Sequence, residues 1–167
     1  KAPKGTSDPF ALRRSAIGII QIALQGISIN LDELIATALA NLGDIVKNRE
    51  EIAHEIKAFF IARTEAMLKD ASISTEVINA VLAVSDTYPR DIFARCTALQ
   101  KFFDKGGDIE SLSAAYKRAK NLSDTSVGTT VDETLLEEVE KDFKNALTQA
   151  RADIETLIAQ GLYHEAL

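Results

Sequence analysis

Residues 4–24 read KGTSDPFALRRSAIGIIQIAL, and the periodicity of that run decides the fold class. At about 100° per residue, Phe10, Ile17, Ile20 and Leu24 share one side of a helix. Leu12, Ala16, Ile19 and Ala23 fill the adjoining side. Two apolar sides predict a helix packed from two directions. Asp8 is placed to accept a hydrogen bond from a free amide of the first turn, with Pro9 at the first helical position, where a missing N–H costs nothing. Arg13 falls inside the apolar sector and Arg14 at its polar edge. A buried guanidinium without an anion costs about 3–5 kcal/mol. Arg13 therefore needs either a carboxylate from elsewhere in the fold or a nucleic-acid phosphate at the helix start.

The same spacing continues down the chain. After the Gln25-Gly26 stop, Asp32 can cap a second helix whose inner face is Leu34, Ile35, Ala38, Leu39 and Leu42. Asn48 with Glu51 three residues on predicts a reciprocal capping box for a third, with Ile52, Ile56, Phe59, Phe60 and Met67 as core. Ser74 or Thr75 opens a fourth, in which Ile78, Val81 and Leu82 point inward. Tyr88-Pro89 marks the next boundary, because the residue before proline avoids helical geometry. The fifth helix presents Ile92, Phe93, Cys96, Leu99 and Phe103 and stops at Gly106-Gly107. Asp108 caps a sixth with the stripe Ile109, Leu112, Ala115, Ala119 and Leu122.

Residues 123–131, SDTSVGTTV, carry almost no apolar anchor and predict a mobile linker. From Asp132 to about Gln160 a long amphipathic helix follows, with Leu136, Val139, Phe143, Leu147, Ala150, Ile154 and Leu157 as its stripe. Tyr163 to Leu167 resembles the first turn of an eighth. No stretch alternates with period two for long enough to make a strand. The expected fold is all-α, an irregular multi-helix bundle of about seven helices ending in that amphipathic helix. The expected division is a body over 1–122, a linker over 123–131 and a further helical region over 132–167. A first residue Lys1 and a final helix barely begun at Leu167 are expected of a segment cut from a longer chain.

Composition narrows the chemistry. With 46% hydrophobic residues the chain can bury a real core. One cysteine excludes an internal disulfide and fits a reducing cytosol; its place on an apolar helical face makes Cys96 a small core residue. The basic residues before the first apolar run imitate a signal peptide, but Asp8, Gln21 and Gln25 interrupt that pattern. No apolar run approaches the ~18 residues of a membrane span. The net charge of −6 arises entirely after residue 131, where nine acidic side chains face three basic ones. A protein gripping nucleic acid over its whole surface is thereby excluded, though a local basic patch is not.

Catalytic chemistry fails on inventory. His54 and His164 are far apart and each precedes Glu, so neither the zinc-protease helix nor a His-Asp doublet is present. The missing doublet also argues against a remnant of a histidine–aspartate phosphohydrolase. With one cysteine and two histidines, no zinc site is expected. No phosphate-cradling glycine loop occurs, and Glu50/Glu51 and Glu137/Glu138 belong to caps or solvated faces. What remains is the cationic cluster Lys117-Arg118-Ala119-Lys120-Asn121. It suits phosphate oxygens, or else is a solvated face that complements the helix dipole. Tyr116 beside it can stack on a base or pack.

Pro3-Lys4-Gly5, then Asp8-Pro9-Phe10-Ala11-Leu12-Arg13-Arg14 and an Ala/Ile/Gly-rich helix, resemble the bacterial glycyl-tRNA synthetase beta subunit. The similarity continues through Phe59-Phe60-Ile61-Ala62-Arg63, Ile78-Asn79-Ala80-Val81-Leu82-Ala83, Arg95, Ala98-Leu99, Phe102 and Lys117-Arg118-Ala119-Lys120-Asn121-Leu122. Gly161-Leu162-Tyr163-His164-Glu165-Ala166-Leu167 is similar to the start of the family's anticodon-binding region. Where the family carries Asn before Lys-Arg, this chain has Tyr116.

The resemblance implies the C-terminal part of beta, ending within that anticodon-binding region. It implies a cytoplasmic, non-catalytic section of an ATP-dependent ligase whose chemistry belongs to the alpha subunit. The expected partners are tRNA-Gly, the alpha subunit and the rest of beta, with no cofactor, metal or membrane for this section itself. The expected RNA-binding residues are Lys4, Arg13, Arg14, Lys117, Arg118 and Lys120. The alternative is a structural helical scaffold that never touches RNA.

Overall fold

The computed structural model describes Asp8, residues 10–124, Ser126, Gly128 and residues 130–166. Among the described residues all regular structure is helical: α1 (Leu12–Leu24), α2 (Leu31–Asn41), α3 (Arg49–Asp70), α4 (Thr75–Leu82), α5 (Pro89–Asp104), α6 (Ile109–Leu122) and α7 (Glu138–Ala159). Short 3-10 turns at Gly43–Ile45 and Glu133–Leu135 precede α3 and α7. The chain forms two compact units, Lys1–Gln100 and Lys101–Leu167.

In the first unit, α3 packs against α1, α2 and α4. Its buried residues Phe60, Thr64 and Leu68 follow one another at four-residue spacing. Leu31, Ile35 and Leu39 on α2 do the same, while α1 (Ala16, Ile20, Ala23), α4 (Val77, Ile78, Val81) and α5 (Pro89, Ile92, Cys96, Ala98) also bury residues at other spacings. The buried rows are narrower than the broad faces expected from periodicity, which are only partly buried. Leu34, Ala38 and Leu42 of α2 sit one step off the row and are exposed, as are Phe10 and Leu12 at the start of α1.

Two apolar clusters meet α3. Ala16, Ile20, Leu31 and Phe60 form one, with Ile56, Phe59 and Met67 packed against it. Leu68, Val77, Ile78, Val81, Ile92 and Cys96 form the other, and Phe93 touches both. Thr64 is fully buried on the same α3 row. Its hydroxyl donates to the Phe60 carbonyl at 3.1 Å, one turn back. The polar atom is satisfied inside the helix and adds no demand on the core.

Several helix starts differ from the sequence expectation, each for a local reason. Pro9 lies outside the described residues. The Asp8 carboxylate accepts from the Arg13 and Arg14 amides at 3.3 and 3.4 Å. Asp8 thus does serve the first turn, but α1 begins at Leu12, after a turn closed by the Ala11 amide on the Asp8 carbonyl. Ala11 takes the left-handed conformation, φ 55°. Asn30, not Asp32, caps α2, accepting from the Asp32 and Glu33 amides. Asn48 is left-handed and donates its side-chain amide to Glu51, so the reciprocal capping box is not formed. Ser74 and Asp108 cap α4 and α6 as expected. Asp132 caps the 3-10 turn, and α7 itself starts six residues later, where the Glu137 amide donates to the Glu140 carboxylate. Residues 163–165 form a turn and no helix.

Asp32 is engaged elsewhere. Lys57 of α3 pairs with Asp32 and with Asp86, each at 3.0 Å, and the Thr87 hydroxyl bonds both carboxylates at 3.2 Å. The Leu31 amide donates to the Thr87 carbonyl, and the Asn30 side chain to the Tyr88 hydroxyl. This node ties the connector after α4 to α2 and α3. Burial pulls the Lys57 ammonium down, but the bonds to Asp32 and Asp86 outweigh it and hold its pKa above the usual lysine value. The pair contributes stability that is fully present below the unfolded value of 10.5 and is lost as pH rises through the folded one. Lys57→Met should cost up to about 1 kcal/mol at neutral pH and low salt, a difference that shrinks in high salt and again at strongly alkaline pH. Urea unfolding at two salt concentrations and across pH measures it; a salt-independent loss would mean that packing of the lysine stem, not charge, is what was removed.

In the second unit α5 ends at Asp104, Gly106 follows with φ 79°, and the Gly107 amide donates to the Phe102 carbonyl at 2.9 Å. A side chain at 107 would collide with the Phe102 ring. No residue of α6 or α7 is buried. The α7 stripe is amphipathic as expected but open: Phe143 is 70% exposed and Val139 77%. Lys144 pairs with Glu133, and Arg151 with Glu155 one turn on.

Candidate nucleic-acid interface

The Asp108 carboxylate accepts from the Ser111 hydroxyl at 2.6 Å and from its amide at 2.8 Å. Those bonds hold the carboxyl below its usual range and fix the first turn of α6. At the other end the Ser123 hydroxyl donates to the Lys120 carbonyl at 2.8 Å. Between these caps, Lys117, Arg118 and Lys120 are all exposed. None of the three forms an ion pair with a described carboxylate. Their position in the last turns of the helix is favoured by the dipole. At 100° per residue, Lys117 and Lys120 share one side of α6 while Arg118 falls on another. Tyr116 is 65% exposed, on the Lys120 side of the helix.

The other nominated residues are in a different setting. Lys4 lies outside the described residues. Arg13 is half-buried and Arg14 exposed on α1. Arg14 Nε sits 3.7 Å from the Asp8 carboxylate, so a phosphate there would compete with a carboxylate already in place. The two arginines belong to the first compact unit and the α6 cations to the second.

Other chemistry-bearing groups are scattered. His54 and His164 are both exposed. Among the described residues no three of His, Cys, Asp and Glu are grouped to hold a metal ion. Cys96 is buried, and burial pushes its thiol up to about 11. No helix of the described residues is long and apolar enough to cross a membrane. Arg63 lies over the Phe59 ring at 4.1 Å, a cation–π contact that spacing alone did not reveal. The Lys57 node was equally invisible, because its carboxylates come from positions 25 and 29 residues away.

A family model described as glycyl-tRNA synthetase beta subunit matches residues 1–83. The glycine–tRNA ligase beta subunit of Haemophilus influenzae (strain PittGG) is 35% identical over 171 aligned residues, which take in all of this chain. Those of Shewanella halifaxensis and Acinetobacter baumannii (strain AYE) are 37% and 34% identical, again over the whole chain. The chain spans 25% of the length of each of these relatives. Over its full length, then, the chain is similar to glycine–tRNA ligase beta subunits, and it spans a quarter of their length.

Proposed function

We propose that this chain is a tRNA-engaging, non-catalytic section of a glycyl-tRNA synthetase beta subunit. It supports ATP-dependent glycylation of tRNA-Gly carried out with an alpha subunit in the cytoplasm, and holds no cofactor of its own. Residues 123–131 connect the helical body to the beginning of an anticodon-binding-like region over 132–167. The observation that carries the RNA part is the group of three exposed α6 cations without a described carboxylate partner. An acidic chain that leaves such a group unneutralised has a surface suited to an external polyanion. Arg14, and Lys4 with it, are weaker contributors, since Asp8 already engages Arg14. Arg13 is half-buried, and its replacement acts on stability first.

The test is tRNA binding at two salt concentrations by a full beta subunit carrying Lys117→Glu and Arg118→Glu. Phosphate contacts are independent of sequence, so all tRNAs should weaken alike. The dependence of affinity on salt should flatten by about 1–2 units of slope for two lost contacts. The fold should survive, because both side chains are exposed. The open apolar stripe of α7 favours a second reading, a scaffold that packs against other protein. Unchanged affinity and slope in the folded double variant would select it.

A further inference from the structure

We infer that Tyr116 is a stacking platform for an unpaired nucleobase, an inference that rests on the reading of α6 as an RNA-binding surface and names the form of RNA it takes. The ring is 65% exposed. Among the described residues it has no aromatic neighbour; the only ring pair there is Phe102 with Phe103. Lys120 lies one turn along at the i, i+4 spacing whose side chains meet on a helix surface. An aromatic face with an exposed ammonium group one turn along suits a single strand, in which each base is flanked by phosphates.

The chemistry selects one class of RNA. In an A-form duplex the base faces are stacked on one another and closed to a side chain, so a duplex offers this surface only phosphates and hydroxyls. A loop or a free end offers base faces as well, and every base has one. Tyr116 therefore discriminates between single- and double-stranded segments without discriminating between sequences. Lys120 holds the strand while the ring takes the base.

The chain contains three tyrosines and no tryptophan, so tyrosine emission reports stacking without a brighter fluorophore over it. The probes are an unstructured CA-repeat RNA oligonucleotide and a blunt RNA duplex of the same length. The expected result is quenching by the single strand and not by the duplex, with the quench abolished in Tyr116→Phe although that variant still binds. Tyr116→Ala should weaken single-strand affinity by about 5- to 150-fold and leave duplex affinity unchanged, with helix content checked by circular dichroism. If Tyr116→Ala alters neither affinity, or both equally, while Lys117→Glu with Arg118→Glu weakens them, the stacking role is overturned and the RNA-binding surface stands. If the charge reversal leaves both affinities intact, the RNA-binding surface falls, and the stacking role with it.

Discussion

Replacing Ile92 by alanine should destabilise the folded chain by about 2–5 kcal/mol, whereas Phe143→Ala should change it by less than about 0.5 kcal/mol. The two side chains look alike in sequence, each on the apolar stripe of an amphipathic helix. Ile92 is fully buried among Leu68, Val77, Ile78, Val81 and Cys96, so truncation leaves a void lined by atoms that lose their contacts. Phe143 is 70% exposed, and truncation leaves nothing but solvent. A loss of that size is a large part of the roughly 5–15 kcal/mol that holds a domain together. Urea unfolding followed by circular dichroism measures both. Equal losses would mean that the α7 stripe is covered in solution and the second unit has a core of its own.

The Cys96 thiol should react with a soluble disulfide reagent at least about 100-fold more slowly in the native chain than in urea. Its pKa rises from 9.0 to about 11 on burial, which by itself makes the attacking thiolate about 100-fold scarcer near neutrality. Steric exclusion adds to that. The sign of the linked pH effect follows from the same values. The unfolded chain gives up this proton near pH 9.0 and the folded chain keeps it to about 11, so rising pH across that window favours unfolding. Lys57, whose pKa is also raised, works in the same direction. Stability should therefore fall on the alkaline side, and Cys96→Ala should lessen the fall. Rapid stoichiometric modification of the native protein would place Cys96 at the surface and contradict the second apolar cluster.

Local chemistry was legible where it was decided locally. The serine at 74, the aspartate at 108, the proline at 89 and the glycine pair at 106–107 mark helix ends by their own capping or backbone properties, and all four hold. Asn30 and Asp32 are both competent caps, and sequence could not choose between them. The choice is made by Lys57, 25 residues on, which engages the Asp32 carboxylate. Helical periodicity likewise marked the apolar sides but not which row along them is buried, since that depends on how neighbouring helices cross. The cations of α6 could be named from the sequence. Their exposure follows from lying off the stripe of Ile109, Leu112, Ala115, Ala119 and Leu122, whereas whether Tyr116 is covered depends on neighbours that the spacing does not show.

The central position of α3 also sets how much chain each tertiary contact of the first unit must close. Its packing partners α2 and α4 adjoin it along the chain, so those pairings close short loops. The bonds from Leu31 to Thr87 and from Asn30 to Tyr88 span far more chain, 58 residues in the second case. Loop-closure cost grows with that separation. The tie between α2 and the connector before α5 is therefore the one among these contacts whose closure costs the most chain entropy.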